Sequence, residues 1–551
     1  MKIYERVIHR ADDQYADMLR HQIMNPSDPF YGGVRHVMED IVEYNEGCLI
    51  ITSGVLLYMN PYSRYYQDDS IFDRMEAAFQ FCFTNMNPDG TKHYIDCNFY
   101  TAAGTETQAL GEAILLMDRE QNTVLIERFR ARMMDLMEKL AYGVMYAGFH
   151  TPNHRWIYSG ALSIVYRLTG KQEYLDAIEG FLKEGIDCSE DGEYAERSAG
   201  IYNLVTNRGL IMMAEHLNRP EFYTYVIRNL NLMRHYIEPD GSLFTMNSTR
   251  QDYGQKAWAD RYVDNYLLMS KIDNNPGFFE IAMKLYYQAI SHGGRDLETS
   301  MAEFMALHPE FQDLDEPESA SPYYVQESGY FKNSGIVRIL NNDISLSLLR
   351  DSQNFFYGMF GSIECSMRIY CHFFNARNAI FTSIEKTDDG YRMHYEANGY
   401  YLLPLEEKPA SSDWWWQKEH CERKRKEPAH LTIVLDAIPT ENGIRFRLHT
   451  ETCDRVPIRI EMALRPNCLI TGEGFRCMAQ AGMNLMPTSG TVVLENNKDR
   501  VLLGPVFGEH AKTTGRKGAL AAGSGEMTLY LNAYCRKEDR EFSIEKVAFD
   551  N

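Results

Sequence analysis

Through most of the first 310 residues, apolar side chains recur every three or four positions, the spacing that lines them along one face of a helix. The pattern predicts helices from Val34 to Met59 and from Ile71 to Met86, then at roughly 105–119, 124–147, 156–169, 173–185, 199–217, 221–237, 255–270, 276–291 and 297–307. Polar breaks separate them. Asn87-Pro88-Asp89-Gly90, Asp191-Gly192 and Glu238-Pro239-Asp240-Gly241 are turn signals, and the polar stretch His150–Trp156 falls between the first two. These breaks lie roughly 40 to 60 residues apart, the length of one helical hairpin with its connections, so the chain reads as repeated αα units whose loop ends converge.

The period then changes. Asp313-Leu314-Asp315-Glu316-Pro317-Glu318-Ser319-Ala320-Ser321-Pro322 is an acidic, Pro- and Ser-containing linker. Beyond it, short alternating segments such as Gly335–Leu340, Ile344–Leu349, Leu431–Leu435, Ile444–His449 and Met527–Leu531 predict antiparallel strands, with turns such as Glu441-Asn442-Gly443. The expected architecture is multidomain, α then β: an N-terminal (α/α) toroid over 1–312, a linker over 313–325, and an antiparallel β-sandwich over 326–551.

Composition narrows the function. A formal charge of −21 argues against nucleic acid and anionic membranes, which need a basic footprint. Met1–Arg6 lacks the apolar core of a signal peptide, and no run approaches the ~18 apolar residues that cross a bilayer, so the expected location is cytoplasmic. Eleven cysteines without CxxC pairs point to reduced thiols rather than a zinc site or a disulfide framework. His150 and His154 are four apart, but Pro152 breaks the helical geometry that would aim both at one ion, so neither a metal nor another cofactor is expected.

Four polar loops precede helices and hold the candidate chemistry. The first, Gly148–Trp156, carries Asn153, His154, Arg155 and Trp156; the second, Asp191–Asn203, carries Glu193, Glu196, Arg197 and Tyr202, with Ser198 placed as a helix cap. The third, Ser248–Gly254, carries Arg250 and Asp252, and the fourth, His93–Thr101, carries Asn98 ahead of Glu106. With Arg208, Arg261, His93 and His150 nearby, they form a basic cluster in an acidic protein, suited to an acidic substrate. Arg and Asn can grip a carboxylate, which lowers the acidity barrier at the adjacent carbon; His or Tyr can then take the α-proton, and Tyr can protonate the departing oxygen. Alternatively, two of Glu193, Glu196, Glu106 and Asp252 serve as acid and base in hydrolysis. Plain readings stand beside these: Asn153 as a cap, Trp156 as core, Glu196 and Arg197 as an exposed pair, Arg250 and Asp252 as a structural pair.

This layout, with an Asn-bearing loop before a helix and a later Asp-Gly…Glu-x-Ser…Tyr segment, resembles the toroid-plus-sandwich polysaccharide lyases of the heparinase II/III and alginate-lyase type. It is also similar to the exo-β-glucuronidases on that scaffold. The resemblance implies Asn153 as neutraliser of a uronate, Tyr202 as the catalytic Tyr and His154 as the nearest His; from the loops themselves, Glu196 and Arg197 are further candidate catalytic residues, and Arg155, Trp156, Asn98, Arg250, Asp252 and Glu193 are candidates to bind substrate. A uronate-containing oligosaccharide is the expected partner, cleaved by β-elimination or by hydrolysis; a non-catalytic glycan-binding protein is the third reading. The Trp414-Trp415-Trp416 triplet leaves room for a homodimer.

Overall fold

The structure is a computed structural model that describes residues 1–36, 38, 40–94, 99–291, 299–317, 326–374, 376–408, 423–451, 455–514, 525–536 and 539–549. The chain divides into two compact units, one of Met1–Ile237 with Gly241–Tyr323, the other of Glu238–Asp240 with Tyr324–Asn551.

The first unit is helical. Its helices are α1 (Ile3–His21), α2 (Tyr44–Met59), α3 (Phe72–Asn85), α4 (Gly104–Glu120), the single turn α5 (Thr123–Leu125), α6 (Ala131–Tyr146), α7 (Pro152–Thr169), α8 (Gln172–Leu182), α9 (Tyr202–His216), α10 (Tyr223–Tyr236), α11 (Val263–Ile272), α12 (Pro276–Ser291) and α13 (Thr299–Leu307). Helix α2 packs on α3 and α4, α4 on α6 and α7, α7 on α8 and α9, α9 on α10, α10 on α11 and α11 on α12. Helix α13 meets α1, and Ile3 N–H donates to the Leu314 carbonyl at 3.0 Å, so the succession of hairpins returns to its start as a toroid.

Two expectations are corrected. Helix α1 had no counterpart among the predicted helices, although Ile3, Tyr4, Val7, Ile8, Ala11 and Tyr15 are buried at helical spacing. The first predicted helix begins at Tyr44, not Val34: Arg35 bridges Val42 and Asp40 sits at φ 54°, so the chain turns back on itself there.

Helices α7 and α9 approach most closely through glycine. A Cβ on Gly209 would lie 2.2 Å from the Trp156 carbonyl oxygen, and one on Gly160 would lie 2.9 Å from the Gly209 Cα. Only bare backbone permits this crossing. It fixes the helix that starts at Pro152 against the helix that starts at Tyr202.

The second unit is a largely antiparallel sandwich of two sheets: among the described residues one has nine strands along its path, and the other has eight, with Ala376–Ala379 pairing off the path to Ile363–Phe373. In one, Arg425–Thr440 lies between Tyr391–Leu402 and Gly443–Glu451; in the other, Pro457–Leu464 lies between Ile363–Phe373 and Met527–Tyr534. Alternation builds the core: Leu431, Ile433, Leu435 and Ala437 point inward with Phe446, Leu448, Ile460, Met462 and Leu529. Trp414–Trp416 and Asn98 lie outside the described residues.

Candidate active site

Three of the four polar loops meet at the N-terminal ends of α7 and α9. Pro152 occupies the first position of α7, where its missing N–H costs nothing, and Asn153 follows with 1% exposure. Glu196, 5% exposed, receives the Asn153 backbone N–H at 3.2 Å and its Nδ2 at 2.7 Å on one oxygen, Oε2. Its other oxygen forms an ion pair with Arg250 Nη1 at 3.1 Å. Thr249 N–H and Oγ1 donate to the Glu196 carbonyl at 3.2 and 2.9 Å, so both the backbone and the side chain of Glu196 bind the third loop to the second.

Arg250 in turn covers Tyr202. Its guanidinium lies 4.7 Å from the centre of the Tyr202 ring, and Nη2 donates to the Tyr202 hydroxyl at 3.5 Å. Gln251 Nε2 donates to the same hydroxyl at 2.6 Å. With both neighbours donating, the phenol's own O–H is directed away from them and is the proton it can give. Sequence reading did not single out Gln251. Its only signal was adjacency to Arg250.

Helix α9 begins at Tyr202, four residues later than the placement at Ser198; Ser198 Oγ still accepts the Tyr202 N–H at 3.1 Å. Arg197 adopts φ 52° in the preceding turn, and among the described residues its guanidinium has no hydrogen-bond or ion-pair partner. Its charge acts on Glu193. Burial pushes the Glu193 carboxyl up to about 7, against hydrogen bonds from Tyr236, the Arg197 charge and Asn247. Tyr236 hydroxyl and Asn247 Nδ2 donate to Glu193 Oε2 at 2.6 and 3.0 Å, while Oε1 has no hydrogen-bond partner.

His154 is half-buried beside this network. Burial lowers it to about 4, helped by the charges of His150 and Arg250, so the imidazole is neutral at neutral pH. Its Nδ1 lies 3.4 Å from both the Tyr158 hydroxyl and the His150 N–H, which leaves Nε2 without a hydrogen-bond partner among the described residues.

Several expected members stand elsewhere. The Trp156 side chain is fully buried and donates Nε1–H to Asp187 at 2.6 Å, so no substrate can reach it. Arg155 turns the same way, pairing with Glu184 at 2.9 Å and Asp187 at 3.4 Å and lying over the Trp156 ring. Asp252 is 4% exposed and fully engaged: Ser198 Oγ, Ser248 Oγ and the Gly200 N–H donate to it at 3.0, 2.5 and 3.0 Å. It clasps the second loop to the third instead of facing substrate, and Arg250 pairs with Glu196 rather than with Asp252. Glu106 is buried in an ion pair with Lys92, which removes it from any acid–base pair. Arg208 pairs with Glu112 well along α9. The Asn153 amide spends both hydrogens inside the protein, on Glu196 and on Thr151 Oγ1 at 2.9 Å, so it has none left to neutralise a uronate.

No family model matches the chain, and no curated protein does. Solved structures do share its fold. A xanthan lyase from Paenibacillus superposes with a TM-score of 0.54 over 99% of this chain and 57% of its own, at 10% identity. The chain thus spans little more than half of that protein's length. Chondroitin AC lyase from Streptomyces coelicolor A3, solved in complex with chondroitin sulphate, superposes with a TM-score of 0.54 over 100% of this chain and 80% of its own, also at 10% identity. The likeness is one of fold: a helical toroid followed by a β-sandwich. Among the described residues, no helix is long and apolar enough to cross a membrane.

Proposed function

We propose that the chain is a carbohydrate-active enzyme that cleaves a glycosidic bond beside a uronic acid by β-elimination, acting on oligosaccharides. The observation that carries this reading is the Tyr202 hydroxyl, which accepts from Gln251 at 2.6 Å and from Arg250 at 3.5 Å at the meeting point of three loops. Two fold neighbours that are both lyases support it.

In this mechanism the unpaired Arg197 takes the uronate carboxylate, stabilising the charge that develops when the α-proton leaves. Neutral His154 accepts that proton on its unprotonated ring nitrogen. The electrons of the broken C5–H bond form the C4=C5 double bond as the C4–O bond breaks, and Tyr202 protonates the departing oxygen. Asn153 and Glu196 are positioning residues. They hold Arg250 over the phenol.

Hydrolysis is the second reading, and Glu193 is the observation that favours it. A carboxyl raised to about 7 by burial holds a proton at neutral pH, as a general acid must. Incubation with uronate-containing oligosaccharides separates the two readings: elimination gives the ultraviolet absorbance of a 4,5-unsaturated uronate, and hydrolysis does not. Ligand-induced thermal stabilisation with no product would leave only a glycan-binding role.

A further inference from the structure

Away from these loops, helices α4, α7, α9, α11 and α13 surround a cavity of about 260 Å³. Arg167 and His216 line it near the C-terminal ends of α7 and α9, about 21 Å along each helix from Asn153 and Tyr202 at 1.5 Å per residue. It is therefore distinct from the candidate active site.

The charges that line this cavity do not balance locally. Each cation has a partner: Arg208 Nη2 donates to Glu112 at 2.5 Å, Arg167 Nη1 meets His216 Nδ1 at 3.1 Å, and Arg119 donates to the Ala306 and Leu307 carbonyls at 2.6 and 3.1 Å. Two carboxylates do not. Glu303 has no hydrogen bond or ion pair among the described residues. Glu215 has only His308 at 3.6 Å, and burial lowers that imidazole's affinity for a proton. Burial, with the Glu112 charge second, raises both carboxyls to about 7, against the more distant Arg167 charge at Glu215 and the Arg208 charge at Glu303.

A separate observation points to a ligand. Asn265 is 5% exposed, lines the same cavity, and leaves its Oδ1 without a hydrogen-bond partner. The wall also has apolar parts: Leu268, Leu307 and the Phe304 ring, which packs on His308 with centroids 4.7 Å apart. Among the described residues no group of three or more His, Cys, Asp or Glu could hold a metal ion.

We propose that this cavity binds a small organic ammonium ion, with its three N–H donors on Glu215, Glu303 and Asn265 Oδ1 and its carbon skeleton against Leu268, Phe304 and Leu307. An amino sugar and a short aliphatic diamine share this chemistry. The proposal does not depend on the lyase reading, since none of these residues belongs to the Tyr202 network.

The test is titration calorimetry on the full chain at neutral pH with glucosamine and 1,4-diaminobutane as separate probes, and with N-acetylglucosamine and inorganic phosphate as comparators. At least one amine is expected to bind and neither comparator to do so; which amine binds identifies the source. Glu303→Gln, which keeps shape while removing an unpaired charge, is expected to weaken binding by about tenfold or more. Glu215→Gln should act in the same direction, and Glu196→Gln should leave binding unchanged. Equal binding of N-acetylglucosamine or phosphate, no binding by either amine, or amine binding unaffected by both cavity substitutions would overturn the proposal.

Discussion

One Glu196 oxygen accepts both the backbone N–H and the side-chain amide of Asn153, at 3.2 and 2.7 Å. Its other oxygen is thereby aimed at Arg250, and through Arg250 the first loop sets the surroundings of a phenol contributed by α9. Glu196→Gln would keep the shape but place an amide where Asn153 donates and Arg250 pairs. The expected result is a loss of about 1–3 kcal/mol in unfolding free energy, the cost of an unsatisfied buried partner, and a fall in turnover larger than any change in KM. Chemical denaturation and steady-state kinetics measure both.

Tyr202→Phe keeps the ring under Arg250 and removes only the hydroxyl. Stability should change by less than about 1 kcal/mol, since two partly exposed donors regain water, while turnover falls by about 10²–10⁴, the range for losing a general acid. Circular dichroism melts with kinetics on the same preparation would show this split.

Gly209→Ala tests the crossing that brings the loops together. Its Cβ would meet the Trp156 carbonyl at 2.2 Å, so α7 and α9 must separate. About 1–3 kcal/mol of stability should be lost, and activity should fall although residue 209 lies two turns from Tyr202. A melt that matches the parent chain would show that the helices are not held this closely.

The pH dependence of stability has two sides. Glu193 titrates at about 4.5 when unfolded and about 7 when folded, so the folded chain holds the extra proton and stability declines as pH rises from 4.5 through 7. Glu215 and Glu303 add to the same decline. Conversely, unfolded His154 gains a proton near 6.5 and folded His154 only near 4, so it removes stability as pH falls from 6.5 through 4. Thermal midpoints of Glu193→Gln across this range should decline less steeply toward pH 7 than those of the parent chain. If Glu193 is a hydrolytic acid, that variant also loses turnover; under elimination it keeps it.

Much of this was legible because period and polarity vary together. The helical patterns at 156–169, 199–217 and 255–270 placed Asn153, Glu196 and Arg250 in loops ahead of helices and Tyr202 in the first turn of one, and those residues meet. What the sequence could not express was direction. At about 100° per residue, Arg155 and Trp156 point some 200° and 300° around α7 from Asn153, toward Glu184 and Asp187, although the three sit within four positions. Asp252 looked equivalent to Arg250, two residues earlier, until Ser198, Ser248 and Gly200 consumed its oxygens. In the sandwich the inward alternation Leu431, Ile433, Leu435 identified only the middle of Arg425–Thr440, because the strand's first residues are exposed and carry no pattern.

Uronate-containing oligosaccharides incubated with the full chain, followed by ultraviolet absorbance and mass spectrometry, test elimination through Tyr202 most directly. The predicted result is a product with the unsaturated chromophore, lighter by one water than the hydrolytic product and lost in Tyr202→Phe. A product that has gained water, without the chromophore and still formed by Tyr202→Phe, would contradict it.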